Sequence, residues 1–180
     1  MSISPPAQRL WWNEPIHRTE LTWIAIAFLW GLVMFFMMIY WHAVGLQNFS
    51  NETYRTTPAE FSAKTDAMIQ SFKVRDEANG FPVVHPPAGS DIYLLGRIWM
   101  WWPNLELEKG QSYRLHLSSL DYQHGFSLQP VNINVQVHPG YESVMTLTPT
   151  ETGEFAIICN EYCGLGHHLM AGRIYVVDKK

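Results

Sequence analysis

Both cysteines of this 180-residue sequence, Cys159 and Cys163, sit on one short stretch, ICNEYCGLGHHLMAG, with His167 and Met170 following them. The spacing is C-x-x-x-C-x-x-x-H-x-x-M. Thiolate and thioether are soft ligands, which select copper(I), zinc or iron–sulfur clusters. A thioether is a poor zinc ligand but a usual weak axial ligand for copper in electron-transfer sites. One cysteine suffices for a mononuclear copper site. A second allows both thiolates to bridge two copper ions, so that one electron spreads over both. A further imidazole must come from elsewhere, and His124, in LDYQHGFSL beside Gly125, is the candidate. The backbone carbonyl of Glu161, between the cysteines, could add a weak ligand. Two other readings stay open. A disulfide would close only a very small ring and leave His167 and Met170 unexplained. A zinc site would take both cysteines, His167 and another histidine. Copper is the favoured reading.

Such ligands need rigid strands to carry them. From Asp91 onward the pattern is one of short strands. Tyr113, Leu115 and Leu117 alternate with Arg114, His116 and Ser118; Asn132 and Asn134 alternate with Ile133 and Val135; Val144, Thr146 and Thr148 alternate with Met145 and Leu147. Gly110, Pro139–Gly140 and Gly153 stand at turn positions. The chain closes on a strand from Gly172 to Val177. This argues for a mainly β domain over 91–180, a small sandwich or Greek-key barrel. The cysteine loop would join two of its strands, with His124 on a loop at the same end. His85, His116 and His138 read as solvated or turn residues, and His168 as exposed.

Ahead of this domain, residues 45–90 read as a linker. Within it Thr57 can cap a helix, Pro58 suits the first helical position, and Glu60 completes the cap three residues on. Phe61, Met68 and Phe72 then fall on one face. This helix would lie on a membrane or a partner, or simply link. NGFPVVHPPAGS, residues 79–90, is rich in breakers.

Residues 21–44 read as a transmembrane helix. From Leu21 to Trp41 no side chain is charged, and Trp23, Tyr40 and Trp41 stand near the ends, where amphipathic rings favour the headgroup layer. A cleaved leader fits poorly, because the run starts late and no small-x-small site follows. Residues 1–20 form a polar tail with Trp11 and Trp12. Arg9 and Arg18 before the helix, against Arg55 after it, favour a cytoplasmic N-terminus and an external C-terminal domain. From Asn51 onward there are 10 Lys plus Arg against 14 Asp plus Glu, which argues against nucleic acid as a partner.

The run from Cys159 to Met170, CNEYCGLGHHLM, resembles subunit II of the haem–copper terminal oxidases, the subunit bearing the CuA centre. Asp121-Tyr-Gln-His124-Gly-Phe is similar to that family's upstream histidine motif. The resemblance covers residues 110–178 and, loosely, the anchor helix. It implies a cupredoxin-like Greek-key β-sandwich with one N-terminal transmembrane helix. It implies that Cys159 and Cys163 bridge two coppers, that His124 and His167 each bind one, and that Met170 and the Glu161 carbonyl are weak ligands. A single anchor and Cys-Gly-Leu-Gly-His resemble the B-type branch. In several members the side chain at Glu161 helps bind magnesium at the junction with subunit I. The family also implies an aromatic ring near the copper where the electron enters; Trp99, Trp101 and Trp102 are the candidates, with strand alternation placing Trp99 and Trp101 on one face and Trp102 on the other.

The function expected from this resemblance is that of the electron-accepting subunit of a terminal respiratory oxidase, in the plasma membrane of a bacterium or archaeon. Electrons would come from cytochrome c or a small copper protein and pass to haem in subunit I, where dioxygen is reduced. Membrane lipid would surround the anchor. Alternatives are the CuA subunit of a nitric oxide reductase and a membrane-tethered copper-binding protein. Nothing resembles a nucleophile–base pair, a phosphate loop or a carboxylate dyad.

Overall fold

The computed structural model describes residues 15–45, 51–131 and 133–179. The expected tail up to position 14, with Arg9, Trp11 and Trp12, lies outside the described residues. So do the start of the expected linker, 46–50, and Asn132. The chain divides into two compact units, Met1–Asn48 and Phe49–Lys180.

The first unit holds helix α1, Arg18–Val44. It starts before the apolar run because His17 caps it: the His17 side chain accepts from Thr19 N–H, and Glu20 Oε2 accepts from His17 N–H at 3.0 Å. Its 27 residues rise about 40 Å at about 1.5 Å each, enough to cross a hydrocarbon core of ~30 Å. It is apolar on every side and buries none of its residues within the chain. Among the described residues it is the one helix long and apolar enough to cross a membrane.

The second unit is a cupredoxin-like β-sandwich. Its strands are β1 Asn51–Arg55, β2 Lys73–Asp76, β3 Pro82–Val84, β4 Asp91–Arg97, β5 Met100–Trp102, β6 Asn104–Glu108, β7 Tyr113–Ser119, β8 His124–Gln129, β9 Ile133–Val137, β10 Tyr141–Leu147, β11 Gly153–Cys159 and β12 Ala171–Val177; helix α2, Pro58–Phe72, lies between β1 and β2. A five-stranded sheet runs β1-β10-β7-β4-β5 and a seven-stranded sheet runs β2-β3-β6-β12-β11-β8-β9. Both are mixed: β4 pairs parallel with β7, and β6 parallel with β12 and β3. Leu94, Leu115 and Leu117 of the smaller sheet and Leu105, Phe126 and Ile157 of the larger are fully buried in one core. Each such side chain contributes about 1.5–3 kcal/mol through burial.

Residues 45–90 differ from the linker expected of them. β1 pairs antiparallel with β10, and β2 and β3 extend the larger sheet. The expected amphipathic helix forms as α2, with its capping box in place and Phe61, Thr65 and Met68 buried. Its apolar face is turned onto the sandwich: Phe61 meets Tyr93 of β4 edge-on, and Met68 Sδ accepts from Tyr93 N–H at 3.3 Å. That cover buries a face of β7 and β10 that simple alternation left to solvent. His116, expected to be solvated, is therefore 7% exposed and Glu142 is 5% exposed.

Candidate metal centre

The two cysteines are placed by a strand end and the loop after it. Cys159 is the last residue of β11, Ala171 the first of β12, and these strands are antiparallel neighbours. The loop between them folds back on itself: Cys159 N–H donates to Met170 O at 3.2 Å, Met170 N–H to His167 O at 3.1 Å, and His167 N–H to Gly164 O at 3.1 Å. His167–Leu169 form one turn of 3-10 helix. Chain reversal over so few residues turns Cys163, His167 and Met170 towards Cys159.

His124 opens β8, the other neighbour of β11, where Phe126 pairs with Cys159. Gly125 makes this approach possible. A Cβ there would stand 1.9 Å from Asn160 Oδ1 and 2.8 Å from Glu161 N, while Gly125 O accepts from Asn160 N–H at 3.0 Å. Sequence reading named Gly125 only as a neighbour of His124; its role depends on a contact between loops distant in the chain.

The ligand groups converge. Ligand atoms of His124, Cys159 and Cys163 all lie within 4.8 Å of one another, and all three residues are buried. Cys163 Sγ is 3.7 Å from Cys159 Sγ, 3.7 Å from His167 Nδ1 and 3.7 Å from Met170 Sδ. Both thiols are free. Glu161 O accepts from the Cys159 thiol at 3.2 Å, so this carbonyl too faces the cluster. Its carboxylate points elsewhere and accepts from Gln136 Nε2 at 2.9 Å. Burial, then the Cys159 thiol beside it, pushes the Cys163 thiol up to about 11.

His124 is the informative member. It is fully buried, and its Nε2 faces Asp121 Oδ1 at 2.8 Å, while its Nδ1 is buried with no hydrogen-bond partner. With the Nε2 hydrogen given to Asp121, Nδ1 keeps a free lone pair, on a ring that has a nitrogen within 4.8 Å of both thiols. A buried polar atom left without a partner costs stability, and a metal ion would supply what it lacks. Two thiols, two imidazoles, a thioether and a carbonyl are the donor set copper prefers. The residues fit a copper centre.

Asp121, part of the Asp121-Tyr-Gln-His124 motif, gains a role from its contacts. Burial works to raise its carboxyl, but hydrogen bonds from His124 and from the backbone N–H groups of Tyr122 and Ile98 outweigh that and hold it below the usual carboxylate range. An acidic residue three positions before the histidine was the available signal. The three tryptophans separate clearly. Trp99 is half-buried at the site, and its Nε1–H donates to Cys163 O at 3.3 Å. Trp101 is fully buried behind the site, edge-on to His124 and Phe126 with ring centroids 6.1 and 5.7 Å away. Trp102 packs instead on Phe81 and under Arg97. Around the loop, Tyr162, Leu165, Leu169 and Tyr122 are exposed apolar side chains.

No family model matches the chain. Cytochrome c oxidase subunit 2 of Thermus thermophilus is 42% identical over 88 residues, covering 48% of this chain and 65% of that protein. Heme-copper oxidase subunit 2 of Aeropyrum pernix is 36% identical over 66 residues, covering 36% of this chain and 28% of that protein. A chain from a solved heme-copper terminal oxidase dimer superposes with a TM-score of 0.58 at 24% identity, covering 89% of this chain and all of its own length; that likeness shows the fold. The chain spans 65% or less of the two Thermus thermophilus proteins it matches.

Fold and site together define a cupredoxin-like domain with a soft-ligand cluster at one end, following one apolar helix. Within that class, the chain is a homologue of the cytochrome c oxidase subunit 2 proteins.

Proposed function

We propose that this chain is the electron-accepting subunit of a terminal respiratory oxidase, anchored by α1 and carrying a two-copper CuA centre. The observation that carries this reading is the buried convergence of two free thiols on a histidine nitrogen that no protein group satisfies. Cys159 and Cys163 would bridge the ions, His124 and His167 would each bind one, and Met170 Sδ and Glu161 O would be the weak ligands. When bound, such a pair shares one electron between its two ions.

The chain's own residues supply the rest. Strands β8 and β11 hold ligands from two loops in fixed register, so little need move on electron transfer. The cysteines lie in the buried core with Trp101 and Phe126, and the exposed Tyr122, Tyr162, Leu165 and Leu169 would offer an apolar surface to a donor, cytochrome c or a small copper protein. Trp99, joined to Cys163 O, is the ring through which the electron would enter. Haem in subunit I would receive the electron, and dioxygen reduction belongs to that partner. The Glu161 carboxylate is the group on this loop that a magnesium ion at the junction with subunit I would take. Cys163-Gly-Leu-Gly-His167 favours the B-type branch. The arginines flanking α1 favour a cytoplasmic N-terminus and a sandwich outside the plasma membrane.

The test is copper reconstitution of the full chain in detergent. Two coppers per chain and a seven-line hyperfine pattern in electron paramagnetic resonance are expected. One copper with a four-line pattern, or none, would overturn the bridged centre.

A further inference from the structure

The turn between β4 and β5, Ile98–Trp99, touches both ligand loops. Ile98 N–H donates to Asp121 Oδ2 at 2.7 Å. The other oxygen of Asp121 faces His124 Nε2 at 2.8 Å and accepts from Tyr122 N–H at 2.6 Å. One residue further on, Trp99 Nε1–H donates to Cys163 O at 3.3 Å. The Trp99 ring also lies against the backbone of the second loop. A Cβ on Gly166 would stand 2.2 Å from Trp99 Cδ2, and one on Gly164 3.4 Å from Trp99 Nε1. The glycines of Cys-Gly-Leu-Gly-His thus let the loop settle on an indole face, and Gly164 also takes a φ of +115°.

From this geometry we infer that Ile98–Trp99 is a clamp that sets the ligand cluster before any metal arrives. Asp121 is its positioning residue at His124, and Trp99 is its platform under Cys163–His167. The inference rests on the copper reading above. The physical argument is tautomer control. An ionised carboxylate only accepts, so it demands the hydrogen on His124 Nε2 and leaves Nδ1 free to bind. Asn in place of Asp121 can offer its amide N–H to Nε2 instead. That draws the ring hydrogen to Nδ1, the atom otherwise left without a partner. Shape is kept and the ligand is lost, which separates orientation from packing.

The experiment uses the full chain in detergent, reduced and free of metal, with Asp121→Asn, Trp99→Phe and Gly166→Ala. Nitrogen-15 spectra of the histidine rings read the tautomer without copper. The parent chain should show His124 protonated at Nε2, and Asp121→Asn should move a substantial fraction to Nδ1–H. Competition with a chromogenic copper(I) chelator reads affinity, which should fall 10- to 100-fold in Asp121→Asn, the usual cost of losing a group that orients a ligand histidine. Trp99→Phe keeps a flat ring but loses its N–H, and should weaken copper only a few-fold; Gly166→Ala should lift the loop from the ring and weaken it more. An unchanged tautomer, or affinity within twofold of the parent in both Asp121→Asn and Gly166→Ala, would overturn the clamp. A parent chain that keeps the Nε2–H tautomer yet binds no copper would overturn the underlying reading instead. Should Asp121→Asn fail to fold, affinity within twofold of the parent in both Trp99→Phe and Gly166→Ala would by itself overturn the clamp.

Discussion

Two buried histidines, His124 and His116, differ in one respect that separates a ligand from a structural group. Each is nearly inaccessible, at 0% and 7% exposure, and each lies beside an aromatic ring, Trp101 for one and Tyr93 for the other. Each also has a carboxylate at a ring nitrogen. His116 has a second: Glu142 meets its Nδ1 and Asp91 its Nε2, the latter at 3.1 Å. Nothing on that ring is left to give. His124 spends one nitrogen on Asp121 and keeps the other unclaimed, in a cluster with two thiols. Burial and a carboxylate neighbour therefore do not mark a metal ligand, and an unclaimed nitrogen alone does not either, since His85 Nδ1 is also buried without a hydrogen-bond partner; at His124 it is the unclaimed nitrogen together with two thiols that does.

The comparison breaks most sharply at the sulfurs. Cys159→Ser and Cys163→Ser should each abolish the two-copper centre, read as a fall in bound copper and loss of the seven-line pattern. Thermal unfolding of the metal-free chain should change little, since a hydroxyl replaces a thiol of similar shape. If either variant kept two coppers and the shared-electron spectrum, the two thiols would not be what holds the metal.

The next largest effects should cross over between the two histidines. His124→Gln should remove most copper affinity and cost less metal-free stability than His116→Gln, because its Nδ1 makes no bond in the fold and Asp121 keeps the N–H groups of Ile98 and Tyr122 when the Nε2 contact is lost. His116→Gln should do the opposite. It strands Glu142, which keeps only Lys64 at 3.2 Å, and loses the Tyr93 stack. A cost of about 2–4 kcal/mol is expected, read by chemical denaturation, with copper binding within twofold of the parent. Equal effects of both substitutions on copper would dissolve the distinction.

A smaller effect concerns thiol chemistry. With its thiol pushed up to about 11, Cys163 holds little thiolate at pH 8. Its alkylation in the metal-free chain should run on the order of 100-fold slower than for an exposed cysteine, and speed up as pH rises towards that value. Rapid labelling of native Cys163 at pH 8 would contradict the burial described.

Why the ligand end was legible in sequence and the His116 side was not follows from where each set of contacts lies. Cys159, Glu161, Cys163, His167 and Met170 are close in sequence, and soft ligands at such spacing have few other uses. The anchor was legible from an unbroken apolar run, and α2 from Thr57, Pro58 and Glu60. By contrast, β1 reads Asn-Glu-Thr-Tyr-Arg and β2 Lys-Val-Arg-Asp. Both are edge strands exposed throughout, so neither carries the alternation that betrays a half-buried strand. Without them, residues 45–90 read as a linker and α2 had no sheet to cover. His116 then alternated into solvent on paper, although Tyr93, Lys64 and Glu142 close over it. Asp121 and Gly125 escaped for the same reason: their work is done against Ile98 and Asn160, partners far away in the chain.

The smallest predicted effect tests that cover at its edge. Thr57 Oγ1 accepts from Glu60 N–H at 3.2 Å, and Glu60 Oε2 accepts from Thr57 N–H at 3.1 Å. The side-chain and backbone bonds to Thr57 hold the Glu60 carboxyl below its usual value. Thr57→Ala should cost about 1 kcal/mol by removing the cap. Because the folded value is the lower one, the Glu60 contribution is present at pH above the ordinary carboxylate value and is lost as pH falls through the folded value. The stability difference between Thr57→Ala and its parent should therefore narrow on acidification. Since α2 covers His116 and not His124, neither the substitution nor the acid trend in the metal-free chain should alter the His124 tautomer. A loosened cap that changed it would mean the two histidines share one cooperative unit rather than occupying separate environments.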